Sequence, residues 1–541
     1  MVMKKTQTLL ISAGLAIAMG GAFLYWVRPP TGDGLMSATG AIRDTKFGSF
    51  LAAQHAVYVN DFDRAVDFMD ALDASDPVFV QNTKMLAEFL SGKMPNHVEM
   101  LASETSPGAR MIYDTYLVAN DRWNEFYRRH QGDSASLTAP MRIWASVATG
   151  HTKDAIKFVN KLKTNASWQA FVRGQIYAHS GDTKRAVDEF SHVQTDFMNV
   201  NDYLYLMAFY TAHDMNDRAD ALRADFTGRP GGLYLLESTM TPSWETYAGV
   251  RNQMAFGLIQ NVSHTQIMMY TDLSLMLLRM ADLIQTGPAP DKDAIYYYMG
   301  QYFYNNNGDC HAYYSQISGP SPLRIFADMR MADVQHDMAA MARLVGENPL
   351  FVPGVSALVA HHVHMGHRRD ALGVINRALG HRDLNEIGRA FFLKSRAQVY
   401  LTFGDYDAAQ SDIHDAAVVL PNDPDVLGIQ AKIWAAQGRE LDNAYDYAMT
   451  LVRRNATDIT SWDTLGRVVA ARDGAAAALD LLQRVGEVSS TCSALFDQLG
   501  DLNAELGHVS AARAAYGRAI ELSPDGLTVR RHIEKKQRKL K

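Results

Sequence analysis

The chain has 541 residues, of which 47% are hydrophobic and 21% charged, and its formal net charge is −7. That length exceeds one compact core and implies several domains or an extended array, while the composition excludes global disorder. The acidic balance argues against nucleic acid as a partner, and two cysteines, Cys310 and Cys492, cannot complete a four-cysteine zinc site.

At the amino end, Lys4 and Lys5 precede an uncharged run of twenty residues from Thr8 to Val27. About 20 such residues span a bilayer as a helix. Tyr25 and Trp26 suit the interface, and Arg28-Pro29-Pro30 ends the helix. Residues 1–30 therefore read as a transmembrane anchor, with a cleaved signal peptide ending near Gly20-Gly21-Ala22 as the alternative. The lysines favour a cytoplasmic amino terminus, which places the remainder in the periplasm of a single-pass bacterial inner-membrane protein. Gly14, Ala18 and Ala22 form a small-residue stripe along one helix face, the pattern of a membrane homodimer.

Residues 31–230 carry helical hairpin patterns with a loose period. Ala53 and Ala87 are 34 positions apart, as are Gly174 and Ala208. Residues 231–318 break this spacing and read as an irregular helical connector. Its run "AIYYYMGQYFYNNNGDCHAYY" is rich in tyrosine, which suits either buried aromatic packing or a partner surface.

Residues 319–541 hold the clearest repeat. Trp462 and Phe496, Gly466 and Gly500, and Ala478 and Ala512 are each 34 positions apart. Small residues at these points let two antiparallel helices approach closely, and large residues fill the holes between them. Ala397, Ala409, Ala431, Trp462, Gly466, Ala478, Gly500, Ala512 and Tyr516 are thus read as packing residues. The chain ends in "RRHIEKKQRKLK", a basic helix suited to capping the array.

This spacing resembles the tetratricopeptide repeat (TPR) family, with its Trp-x₂-Leu-Gly-x₂-Tyr opening and later Gly, Ala, aromatic, Ala and Pro. The copy at 493–525 carries Phe496, Leu499, Gly500, Gly507, Ala512, Tyr516, Ala519 and Pro524. The resemblance implies an all-α, TPR-like helix-turn-helix solenoid of two arrays behind the membrane helix. It also implies protein or peptide ligands in a groove lined by the first helices. Matching positions place Lys394, Gln398, Lys432, Asp463, Arg467, Asp497 and Asp501 on that groove.

No HExxH, GxSxG, GxxxxGK[ST] or GxGxxG occurs, so no enzyme and no cofactor is expected. The stretch "HHVHMGH" sets His361 and His364 three apart on one helix face, a spacing that suits a transition metal. His362 stands where the family has tyrosine, a packing position. The leading expectation is a noncatalytic, membrane-anchored scaffold in the bacterial envelope. A metal- or small-ligand-binding solenoid, using the His361–His367 cluster or the connector, is the alternative.

Overall fold

A computed structural model describes residues 46–70, 77–104, 106–132, 138–236, 243–264, 272–286, 292–306, 308–488, 492–523 and 528–540. The expected membrane anchor, its Gly14/Ala18/Ala22 stripe and Pro524 lie outside the described residues. Among the described residues there is no strand, and no helix is long and apolar enough to cross a membrane.

The chain divides into two units, Met1–Asp220 with Met240–Met331, and Ala221–Thr239 with Ala332–Lys541. The first unit begins with α1 (Lys46–Tyr58), α2 (Phe62–Met69), α3 (Val78–Leu90), α4 (Pro107–Ala119) and α5 (Trp123–His130). It continues with α6 (Ala139–Ala148), α7 (Thr152–Lys161), α8 (Ala166–His179), α9 (Thr183–Phe190) and α10 (Val200–Ala212). After α11 (Asn216–Thr227) come α12 (Val250–His264), α13 (Asp272–Ile284), α14 (Lys292–Asn305), α15 (His311–Tyr314) and α16 (Arg324–Val334). Local sequence sets the starts of these helices. Asp61 accepts from Arg64 N, Asp182 accepts from Arg185 N, and Asn199 and Asp202 form a reciprocal capping box on α10.

The stretch expected as an irregular helical connector is helical where it is described, and part of it packs within the first unit. Helix α12 packs on α6, while α13 packs on α3 and α4, so residues 250–264 and 272–284 belong to the core of the first unit. The physical reason is burial on every side, since each residue from Asn252 to Val262 in α12 is buried. A helix covered all round has no amphipathic period to read. Several tyrosines of the stretch are also buried. Tyr298, Tyr302 and Tyr314 are buried, and Tyr302 donates to Asp272 at 2.8 Å. Burial pushes the Tyr297 phenol up to about 12.

The second unit is a run of hairpins. It holds α17 (Met338–Glu347), α18 (Val352–His364), α19 (Arg368–Leu379), α20 (Glu386–Thr402), α21 (Tyr406–Val419) and α22 (Pro424–Gln437). It then holds α23 (Leu441–Arg454), α24 (Ile459–Asp473), α25 (Ala475–Val488), α26 (Ser493–Glu505), α27 (Val509–Leu522) and α28 (Thr528–Lys539). Each helix packs on the next, and the first helices α20, α22, α24 and α26 also pack on one another in series.

Hairpin closure depends on the small residues. Ala397, Ala409, Ala431, Ala478 and Ala512 have no exposed surface, and Tyr516 is 3% exposed. A methyl built on Gly466 would lie 2.9 Å from Leu482 Cγ, and one on Gly500 would lie 2.9 Å from Tyr516 Cγ. The first unit repeats the contact with Gly174 against Phe190. In all three hairpins the glycine meets the residue sixteen positions on. Trp462 is half-buried and donates its indole N–H to Ala456 O at 2.9 Å. The intervening turn of the last hairpin uses Gly507 at φ +75°, a left-handed conformation that favours glycine.

Candidate functional site

The first-helix face of the second unit carries the residues expected to meet a partner, but most of their charge is engaged within the chain. Lys394 is buried and donates to Asp423 at 3.1 Å and to Asp425 at 2.9 Å, at the start of α22. Lys432 on α22 pairs with Asp463 on α24 at 3.4 Å, and Asp463 also accepts from Arg467 at 3.0 Å. Asp497 and Asp501 on α26 receive Lys536 from α28 at 2.9 and 2.7 Å. The links join α20 to α22 and α22 to α24, and separately tie α26 to the basic terminal helix.

These pairs engage Lys394, Lys432, Asp463, Asp497 and Asp501 with neighbouring helices. The pairings between helices join residues 29 to 39 positions apart, close to one repeat period. Burial raises the Asp497 carboxyl above its ordinary value, with Lys536 opposing. Gln398 differs, being exposed and bonded only to Thr402 within its own helix. It is the member of the set whose amide is available to a partner.

The first unit holds a cavity of about 360 Å³, with Trp168, Phe171, Phe197 and Met198 among its walls. Its polar side is built by α10 and α12. Asp202 is 2% exposed and accepts from Gln260 at 2.7 Å, and it pairs with His264 at 2.8 Å. Burial works against the His264 cation, but the charge and hydrogen bond of Asp202 outweigh it and raise the pKa. Gln260 Oε1 is buried and has no hydrogen-bond partner. The neighbouring Ser263 hydroxyl donates to Gln260 O and accepts from Asn199, so it is committed to the fold. Apolar walls beside the bonded Asp202–His264 pair and an open acceptor suit binding of a group that is partly apolar and donates a hydrogen bond. Sequence reading did not find this cavity, because Asp202 and His264 stand 62 positions apart in no motif.

The histidine stretch is also rearranged. Among the described residues, none joins His361 and His364 as a third ligand. His362, His367 and Asp370 are, each offering a ligand atom within 4.8 Å of the others. Sequence reading took neighbours on one helix face and overlooked Asp370 beyond the turn. Both cysteines are free thiols.

It is at the last hairpin that a comparison with known families answers. Residues 494–525 match the tetratricopeptide repeat family. This TPR segment contains Gly500, Gly507, Ala512 and Tyr516, the residues that close α26 on α27. No curated protein sequence matches the chain. Among solved structures, the chain is similar to a tetratricopeptide repeat protein from Parabacteroides merdae, at 12% identity and a TM-score of 0.32. That alignment covers 54% of this chain and 98% of the other. The Cut9-Hcn1 hetero-tetramer of the APC/C aligns at 12% identity and a TM-score of 0.33, over 94% of this chain and 98% of that one. Yeast Tom70 aligns at 13% identity and a TM-score of 0.26, over 93% and 95%. The described residues are all-helical, and the TPR match lies in the last hairpin.

Proposed function

We propose that the chain is a noncatalytic scaffold that binds proteins or peptides and is anchored in the bacterial inner membrane with its bulk in the periplasm. The observation that carries the scaffold reading is the TPR segment at 494–525, set in a series of stacked hairpins whose first helices share one face. The support for the membrane address is the apolar run from Thr8 to Val27 behind Lys4 and Lys5. Absence of sequence motifs for hydrolysis or nucleotide binding supports a binding role over an enzymatic one.

Crosslinking in cells, followed by identification of captured proteins, tests the scaffold reading; discrete and reproducible adducts are expected. A reporter active only outside the cytoplasm, fused after Lys541, tests the address. An intact but inactive fusion overturns it. The Gly14/Ala18/Ala22 stripe predicts that the segment from Lys4 to Arg28 self-associates in a membrane two-hybrid assay, and that Gly14→Ile and Ala18→Ile weaken the signal. Equal signals remove the homodimer.

A further inference from the structure

We propose that His362, His367 and Asp370 form a divalent transition-metal site, of the kind that takes zinc, across the turn between α18 and α19. His362 lies in the last turn of α18, His367 is the N-cap residue of α19, and Asp370 lies in the first turn of that helix. Gly366, at φ +77°, reverses the chain between them, so residues five and eight positions after His362 return to its side.

The three ligand atoms lie within 4.8 Å of one another. A tetrahedral zinc holds nitrogen and oxygen at about 2.0–2.2 Å, which separates its ligand atoms by roughly 3.4 Å. His367 and Asp370 are exposed, so rotation of their side chains covers the difference without movement of the backbone. His362 is the fixed member. It is half-buried, and its Nδ1 is enclosed by protein without a hydrogen-bond partner. Buried polar nitrogens rarely lack a partner.

Two imidazoles and one carboxylate are the donor set of zinc, cobalt and nickel sites, in preference to calcium or magnesium, which take oxygen ligands. Three protein ligands leave a position open for water or for a side chain from a bound protein. The neighbouring cations do not exclude an ion. Arg368 is paired with Asp405, and Arg369 is exposed to solvent, which screens its charge. Bound metal would tie the end of α18 to the start of α19 and stiffen this turn, whether or not the first-helix face holds a partner.

The test uses untagged full-length protein stripped with a chelator, then titrated separately with Zn²⁺ and Co²⁺. Calorimetry gives the stoichiometry, and the visible spectrum of bound Co²⁺ reports its ligands. One equivalent per chain is expected. His367→Ala and Asp370→Asn should each weaken binding at least about tenfold. His361→Ala and His364→Ala should bind as the native protein does. Absence of saturable binding overturns the proposal. So does full binding by His367→Ala, or a loss in His361→Ala and His364→Ala equal to that in the proposed ligands.

Discussion

Replacing Gly500 with alanine sets two known effects against each other, and the structure decides which wins. In the interior of a helix, alanine is more favourable than glycine by about 1 kcal/mol. Gly500 is in the interior of α26, so propensity alone predicts a gain. The added methyl, however, would sit 2.9 Å from Tyr516 Cγ and closer still to Cδ1 and Cε1. Ordinary contact needs about 3.5–4.0 Å, so the ring must move by an ångström or more. Tyr516 has little room to do so, being 3% exposed and bonded through its hydroxyl to Asp501 at 2.7 Å. Overpacking of this kind costs roughly 1–3 kcal/mol. The net expectation is a loss of about 0–2 kcal/mol, which corresponds to as much as about 30-fold in the equilibrium. Gly373 in α19 is the control, because a methyl there meets nothing within 4 Å. Gly373→Ala should stabilise its hairpin by about 0.5–1 kcal/mol. Hydrogen exchange read by mass spectrometry resolves each hairpin separately, which suits a repeat array better than one global transition. Faster exchange in α26 and α27 for Gly500→Ala, with slower exchange in α19 for Gly373→Ala, is the predicted pair. Slower exchange in both variants would refute the close helix approach.

Three further outcomes follow from the same geometry. Ala478→Leu, at a position with no exposed surface, should cost about 1–3 kcal/mol by urea denaturation followed by circular dichroism. Gly507→Ala should lose about 1–2 kcal/mol from backbone strain alone, because φ is +75° and no atom lies within 4 Å of the new methyl; Gly507→Asn should lose less. His264 should titrate above 6.5 by NMR. Its contribution to stability is complete below pH 6.5 and is lost as pH rises through the raised folded pKa, and Asp202→Asn should lower that pKa.

What could be read from the chain was whatever repeats locally. The 34-residue comb through Gly466 and Gly500 is visible because each repeat must place a small residue against the same bulky one sixteen positions later. The core role of α12 was hidden, because burial on every side erases the alternation that marks a helix face. Position within the repeat put Lys394 and Asp497 on the first-helix face. It did not reveal that Asp423, Asp425 and Lys536, roughly one repeat onward, would engage them. The histidine triangle was missed for a related reason. Helical spacing pairs His361 with His364 on one helix, whereas the turn at Gly366 folds His367 and Asp370 back on His362. The spacing His-x₄-His-x₂-Asp across a glycine turn was the available signal.

The central claim is that the shared face of the first helices binds a protein. It is tested most directly by placing a photocrosslinking amino acid in cells at Gln398, on that face, and separately at Val418 on second helix α21. Both positions are exposed, Val418 at 75%. The account predicts a discrete protein adduct from position 398 that is absent from position 418. The same adducts from both positions, or none from position 398, would contradict it.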